Sequence, residues 1–249
     1  MLCLYKTRQF DTFKQGLDAR LNQQPHASVL LGSLAAHYAA NFNQPITYQY
    51  CRSPMDYVWH GSIQELAEPD SGLLQQLLHD IQHIAIAERK QGRLYQGMQS
   101  AGNLLQRAET SFQQLADLIR QQVQAYQRHF AASEDSLIRL FPNVLEFASS
   151  WYLRMNQGGY LTAHIHEEGW ISGCVYLQLP ERYDSHEGCF EYGIDGDDYP
   201  RLHDDFPQRV VAPKVGDLVL FPSSLFHRTI PFNADQERIC IAFDIKPRA

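Results

Sequence analysis

The sequence has no uninterrupted apolar run near the ~20 residues that cross a bilayer, and Met1-Leu2-Cys3-Leu4-Tyr5-Lys6 lacks the build of a signal peptide. A soluble cytoplasmic protein is the resulting expectation. Excess positive charge is also missing. With 21 Lys and Arg against 28 Asp and Glu, and a formal charge of -7, no basic stripe offers itself to nucleic acid or to an anionic membrane. The five cysteines, Cys3, Cys51, Cys174, Cys189 and Cys240, form no CxxC pair and are odd in number, so they read as reduced thiols with no assigned role. No Gly-rich phosphate loop, Gly-x-Ser-x-Gly elbow or dinucleotide fingerprint is present, which argues against kinase, hydrolase and dehydrogenase chemistry. Nor does any repeat period emerge.

What is present is a chain of two halves. Phe10, Phe13, Leu17 and Leu21 recur at helical spacing, as do Leu30, Leu31, Leu34 and Tyr38 after a break containing Pro25. Leu73 to Ile84 and Phe112 to Tyr126 mark two more amphipathic helices, with a short extended segment expected around Tyr48–Cys51 and Tyr57–His60. After Phe141-Pro142 the apolar period falls to two. Strands are expected over Val144–Met155, Tyr160–His164, Trp170–Leu179, Cys189–Tyr192, Arg209–Ala212, Asp217–Phe221, His227–Ile230 and Glu237–Ile245. The pattern predicts an α+β protein: a helical layer over residues 1–140 packed on a jelly roll over 141–249, the two forming one compact unit.

Within the second half, His164-Ile165-His166 sets two imidazoles on one face of an extended chain. A distant His227 follows Phe221-Pro222-Ser223, and Arg238 comes eleven residues later. Three convergent imidazoles with a cation behind them to hold an anionic cosubstrate are what a non-haem iron oxygenase needs. Arg238, Cys240 and Ala242 share one face of the last strand, and Ser172, Cys174 and Tyr176 share one face of another, so Tyr176 is expected to point inward with Arg238. The bland alternatives are a surface ion pair of Arg238 with Asp217 or Glu237, and an ordinary core role for Tyr176. Trp170 reads as packing, and His26, His37, His60, His79, His83, His129, His186 and His203 as surface histidines. The acidic loop Asp195-Gly-Asp-Asp198 lacks the downstream glutamate of a calcium loop and reads as solvated.

The segments His164-Ile-His-Glu-Glu-Gly-Trp-Ile-Ser-Gly-Cys-Val-Tyr-Leu-Gln-Leu-Pro180, Gly216-Asp-Leu-Val-Leu-Phe-Pro-Ser-Ser-Leu-Phe-His227-Arg-Thr-Ile-Pro231-Phe, Arg238 and Ile241-Ala-Phe-Asp244 together resemble the 2-oxoglutarate/Fe(II)-dependent oxygenases often attached to tetratricopeptide repeats. Gly97-Met-Gln-Ser-Ala-Gly-Asn-Leu104 resembles that family's element before its long helix, so the likeness covers roughly Ala87 to Pro247, without the repeats. The resemblance implies a double-stranded β-helix around iron, with 2-oxoglutarate decarboxylated to succinate and a substrate hydroxylated. By position it makes His164 and His227 iron ligands, sets Arg238 against the C5 carboxylate of 2-oxoglutarate and places Tyr176 beside it. A guanidinium fork suits that carboxylate. The broad superfamily has a carboxylate where this chain has His166; because the strand geometry still directs residue 166 at the metal, the expected set is His164, His166 and His227, with Glu168 as competitor and Glu167 pointing away. A three-histidine dioxygenase using no 2-oxoglutarate and a non-catalytic jelly roll are the alternatives. The substrate, small molecule or protein, and the oligomeric state carry no readable signal.

Overall fold

The computed structural model describes residues 1–247 apart from Gln24, Pro69, Pro142, Asn143 and Tyr183; Pro142, where the apolar period is expected to change, lies outside the described residues. Among the described residues there are seven α-helices: α1 Leu2–Lys6, α2 Phe10–Leu21, α3 Val29–Asn41, α4 Gln64–Ala67, α5 Gly72–His83, α6 Thr110–His129 and α7 Ser136–Arg139. Side chains that accept from backbone N–H groups start two of them, Ser28 from Leu31 in α3 and Ser71 from Leu74 in α5. Along α6, Phe112, Leu115, Ile119, Val123 and Tyr126 form one buried stripe, and Arg128 and His129 sit favourably at its C-terminal end.

Among the described residues ten strands, β1 Trp59–Ser62, β2 Glu88–Arg89, β3 Leu94–Ser100, β4 Leu145–His164, β5 Ile171–Gln178, β6 Phe190–Gly193, β7 Gln208–Val211, β8 Asp217–Pro222, β9 Phe226–Thr229 and β10 Arg238–Pro247, make one antiparallel sheet. Its order is β1-β8-β5-β10-β4-β9-β6-β7, with β3 added to β4 and β2 to β3, a nearly closed barrel of the jelly-roll type. Two differences from the sequence expectation stand out. Residues before 141 hold more strand than expected: the extended segment expected around Tyr57–His60 is met by β1 on the β8 edge, but β2 and β3, the latter paired with β4, lie outside that expectation. And the two strands expected over 144–164 are one long bent strand, which pairs with β10 as far as Met155 and with β9 from Leu161. Between the two pairings lies Gly158, whose φ of +75° only glycine adopts without strain.

Strand parity then divides the core. Ile239, Ile241 and Phe243 on β10, with Val175 and Leu177 on β5, join the α6 stripe in a cluster on the outer face of the sheet. Cys240, Ala242, Cys174 and Tyr176, facing the other way, meet Phe190, Val219 and Phe221 inside the barrel. Truncating a fully buried aromatic of the first cluster, such as Phe243 or Phe112, to alanine costs about 3–5 kcal/mol. The helices thus brace one sheet face and leave the other to the barrel interior.

Candidate metal centre

The β4–β9 pairing sets His164 directly opposite His227. His166 arrives differently from the sequence expectation, since β4 ends at His164 and residue 166 lies in the following turn. Its backbone N–H donates to the Ser223 carbonyl at 3.0 Å, and Gly169 N–H returns to the His166 carbonyl at 3.1 Å, so a tight turn takes over from the strand period. The three rings converge: centroid separations are 4.4 Å for His164–His227, 5.1 Å for His164–His166 and 4.9 Å for His166–His227. One nitrogen from each lies within 4.8 Å of the others.

The tautomers follow from the partners. His164 Nδ1 lies 2.7 Å from the Thr162 carbonyl, His227 Nδ1 3.2 Å from the Leu225 carbonyl, and His166 Nδ1 2.5 Å from Asp244 Oδ1. Carbonyl and carboxylate oxygens only accept, so each Nδ1 carries a proton and each ring turns its Nε2 inward. The Nε2 atoms of His164 and His166 stand 3.2 Å apart, close enough to share one cation. Burial, with the neighbouring His166 adding to it, pulls His164 down to about 3, and burial likewise holds His227 well below the usual imidazole value. Both are therefore neutral at working pH. Three imidazoles with hydrogen-bonded outer nitrogens fit a divalent iron, among other first-row metals.

Arg238 is only 1% exposed, although a guanidinium stays charged in any protein setting. Its Nε donates to the Gly188 carbonyl at 3.1 Å and Nη1 to Cys240 Sγ at 3.3 Å; among the described residues no carboxylate pairs with it. The Cys240 thiol is drawn down by its hydrogen bond from Cys174, against burial, with the Arg238 charge helping, which makes the sulfur a weak acceptor. The Tyr176 ring lies 5.2 Å from the Arg238 Cζ, and its buried hydroxyl has no partner. Burial raises that phenol well above its ordinary value, so it remains a donor. A buried cation and a free O–H in one place are costly unless an anion joins them, and a carboxylate fits.

Histidines, arginine and tyrosine line one cavity of about 400 Å³. Glu167 and Glu168 are exposed at its edge, and Glu168 does not join the histidine cluster. The ion pairs considered for Arg238 are made elsewhere: Glu237 pairs with Arg154 and Asp217 with His60. Trp170 packs as expected, its indole donating to the Leu137 carbonyl at 2.8 Å. His26 and His37, expected at the surface, are buried; His37 bridges Tyr5 and Asp195 because α3, on which it lies, is enclosed almost all round. In the acidic loop, Asp197 pairs with Arg93 at 2.7 Å.

Sequence reasoning gave no role to four neighbours of the cluster. Asp244 holds His166, Trp151 packs at 5.6 Å from the His166 ring, and Cys174 and Cys240, read as having no role, face the cavity as free thiols. Asp244 was within reach, since the inward face of Arg238, Cys240 and Ala242 continues to residue 244.

Residues 149–244 match a family model described as "Putative 2OG-Fe(II) oxygenase". The fold is similar to that of HygX from Streptomyces hygroscopicus, solved with nickel, 2-oxoglutarate and hygromycin B, at a TM-score of 0.54 and 17% identity, covering 78% of this chain and 84% of that one. It is also similar to SnoN, a non-heme alpha ketoglutarate dependent epimerase from nogalamycin biosynthesis, at 0.53 and 15% identity over 80% of each chain. A 2OG-Fe(II) oxygenase family oxidoreductase from Burkholderia pseudomallei aligns at 0.51 and 11% identity, covering 77% of this chain and 86% of that one. No curated protein matches the sequence.

Proposed function

We propose that the chain, whose residues 149–244 match the 2OG-Fe(II) oxygenase family model, is such an oxygenase: that it binds Fe(II) through His164, His166 and His227, binds 2-oxoglutarate against Arg238 and Tyr176, and hydroxylates a C–H bond of its substrate. One observation carries this reading: a single cavity in which three imidazole nitrogens meet and a buried guanidinium has no carboxylate partner. With both groups bound, iron and 2-oxoglutarate supply oxygen chemistry that releases succinate and carbon dioxide and leaves a hydroxyl on the substrate. The protein's own part is placement. His164 and His227 orient their rings through carbonyls of their own strands, Arg238 receives the far carboxylate of 2-oxoglutarate in a fork, and the Tyr176 hydroxyl donates to the same group. The helical layer of residues 1–140 acts as a brace behind the 141–249 core, one unit with it; no described helix is long and apolar enough to cross a membrane.

The presence of a third histidine favours a second reading, a three-histidine dioxygenase that needs no 2-oxoglutarate, against which Arg238 speaks. Anaerobic Fe(II) titration with and without 2-oxoglutarate separates the two. A visible charge-transfer band that requires both components, followed by succinate on admitting oxygen, is expected. Iron binding indifferent to 2-oxoglutarate supports the second reading, and no iron binding overturns both.

A further inference from the structure

The three imidazoles are not held alike. His164 and His227 each donate to a neutral carbonyl two residues back in their own segment, Thr162 and Leu225. His166 has left the strand and is met from across the barrel by a carboxylate, Asp244, at 2.5 Å. On the reading that these rings hold iron, we infer that Asp244 is a positioning residue that makes His166 the most electron-rich of the three ligands and brings a buried negative charge to the centre.

The surroundings of Asp244 are built for this. Its carboxylate is 6% exposed, and among the described residues no lysine or arginine pairs with it. Ser172 Oγ donates to Oδ1 at 2.6 Å and Ser149 Oγ to Oδ2 at 2.7 Å, while Ser172 is itself steadied by Ser223 Oγ at 2.8 Å. Position 169 has to be glycine for the turn to lie so close, because a Cβ there would stand 2.5 Å from Ser223 Oγ and 3.1 Å from Asp244 Oδ1. Strands β4, β5 and β10 and the turn after His164 therefore cooperate to hold one carboxylate against one imidazole. A buried carboxylate is expensive unless charge or hydrogen bonds answer it, and the His166 N–H supplies the strongest answer available. The gain runs both ways. A carboxylate that accepts the Nδ1 proton fixes the tautomer, stops the ring from rotating and pushes electron density toward Nε2, where a metal would bind. Having no strand ladder around it, His166 needs that restraint more than its two companions do.

The test uses the full chain, with Co(II) as a spectroscopic probe and Fe(II) plus 2-oxoglutarate as the working pair. Asp244→Asn keeps the size and removes the charge. It should weaken Co(II) binding by about 10- to 100-fold, alter the Co(II) ligand-field spectrum and move the iron charge-transfer band to shorter wavelength, because iron becomes poorer in electrons. A purely structural role would shift the melting temperature without moving either spectrum. Should Asp244→Asn fail to give a cooperative melt, Ser149→Ala loosens the carboxylate without touching His166, and the same spectral shifts are expected at a smaller size. Unchanged affinity and spectra in a variant of a chain that binds metal overturn the role of Asp244 and leave the iron reading standing. If the wild-type chain itself takes up no metal, the iron reading falls and this inference with it.

Discussion

The two ends of the cavity are opposites in hydrogen bonding. At the histidine end every Nδ1–H is already spoken for, by the Thr162 and Leu225 carbonyls and by Asp244, and what faces inward is Nε2. At the arginine end the surplus is of donors: Arg238 meets one carbonyl and one sulfur, and the Tyr176 hydroxyl meets nothing. One end lacks a cation and the other an anion. A ligand that chelates a metal at one end and carries a carboxylate at the other answers both deficits at once, and the cavity is polarised to accept it in one orientation only.

Breaking the histidine end should have the largest effect. His227→Ala removes the ligand contributed from across the sheet, and metal content measured after anaerobic reconstitution should drop from one iron per chain to none. The fold should persist, since the ring projects into the cavity between Phe190 and Phe221 rather than into the helix-braced core. Full iron content in this variant would remove His227 from the centre. Breaking the donor end comes next. Arg238→Met should raise the 2-oxoglutarate concentration needed for half-maximal charge-transfer signal by about 100-fold, in the range of 2–5 kcal/mol for truncating one member of a buried charge pair. Iron affinity without 2-oxoglutarate should stay as it was, and the metal-free melting temperature should rise, because an unpaired buried charge has been replaced by an apolar side chain.

Much of this asymmetry is visible in sequence, for a definite reason. The period of two that places Arg238, Cys240 and Ala242 on one face is local, as is the spacing that aligns Phe112, Leu115 and Ile119 on α6, so both are legible without a fold. The pairing of His164 with His227 is not local. Only the order of the motifs signals it, and the register that makes it real includes a one-residue shift between Leu161 and His164 in the β4–β9 ladder. The position of His166 is less legible still, because it depends on a turn, on the Ser223 carbonyl and on a carboxylate that the chain reaches only 78 residues later. Strands β2 and β3 escape notice because Glu88–Arg89 is too short to show a period and Tyr95-Gln-Gly97 breaks the alternation of the other. The burial of His37 is hidden for the opposite reason: α3 is apolar on nearly every side, so periodicity cannot say which face a histidine takes.

A pH titration sharpens the comparison from the histidine side. In the metal-free protein His164 is held neutral down to about 3, whereas in the unfolded chain it protonates near 6.5. Between those values the unfolded state binds a proton that the folded state refuses, so stability contributed by the neutral ring is complete above about 6.5 and is lost as pH falls toward 3. His227, shifted in the same direction, adds to the slope. Melting temperature should therefore decline from pH 7 to pH 4 with a steepness reduced in His164→Ala. Arg238→Met, at the donor end, should leave the slope as it is, and a wild-type profile flat over that interval would contradict the neutral assignment.

The smallest expected effect belongs to Tyr176→Phe, and it discriminates best between a working donor and a core residue. A neutral hydroxyl that gains an acceptor on 2-oxoglutarate binding contributes about 0.5–1.5 kcal/mol, so its loss should raise the 2-oxoglutarate requirement by about 2- to 10-fold. In the free protein the same hydroxyl is buried without a partner, so removing it should leave the metal-free melting temperature unchanged or higher. A core tyrosine with no part in binding would give the second result without the first. A tyrosine whose hydroxyl waits for a carboxylate gives both, with iron binding alone untouched, because the ring stacks under Arg238 and not against the histidines.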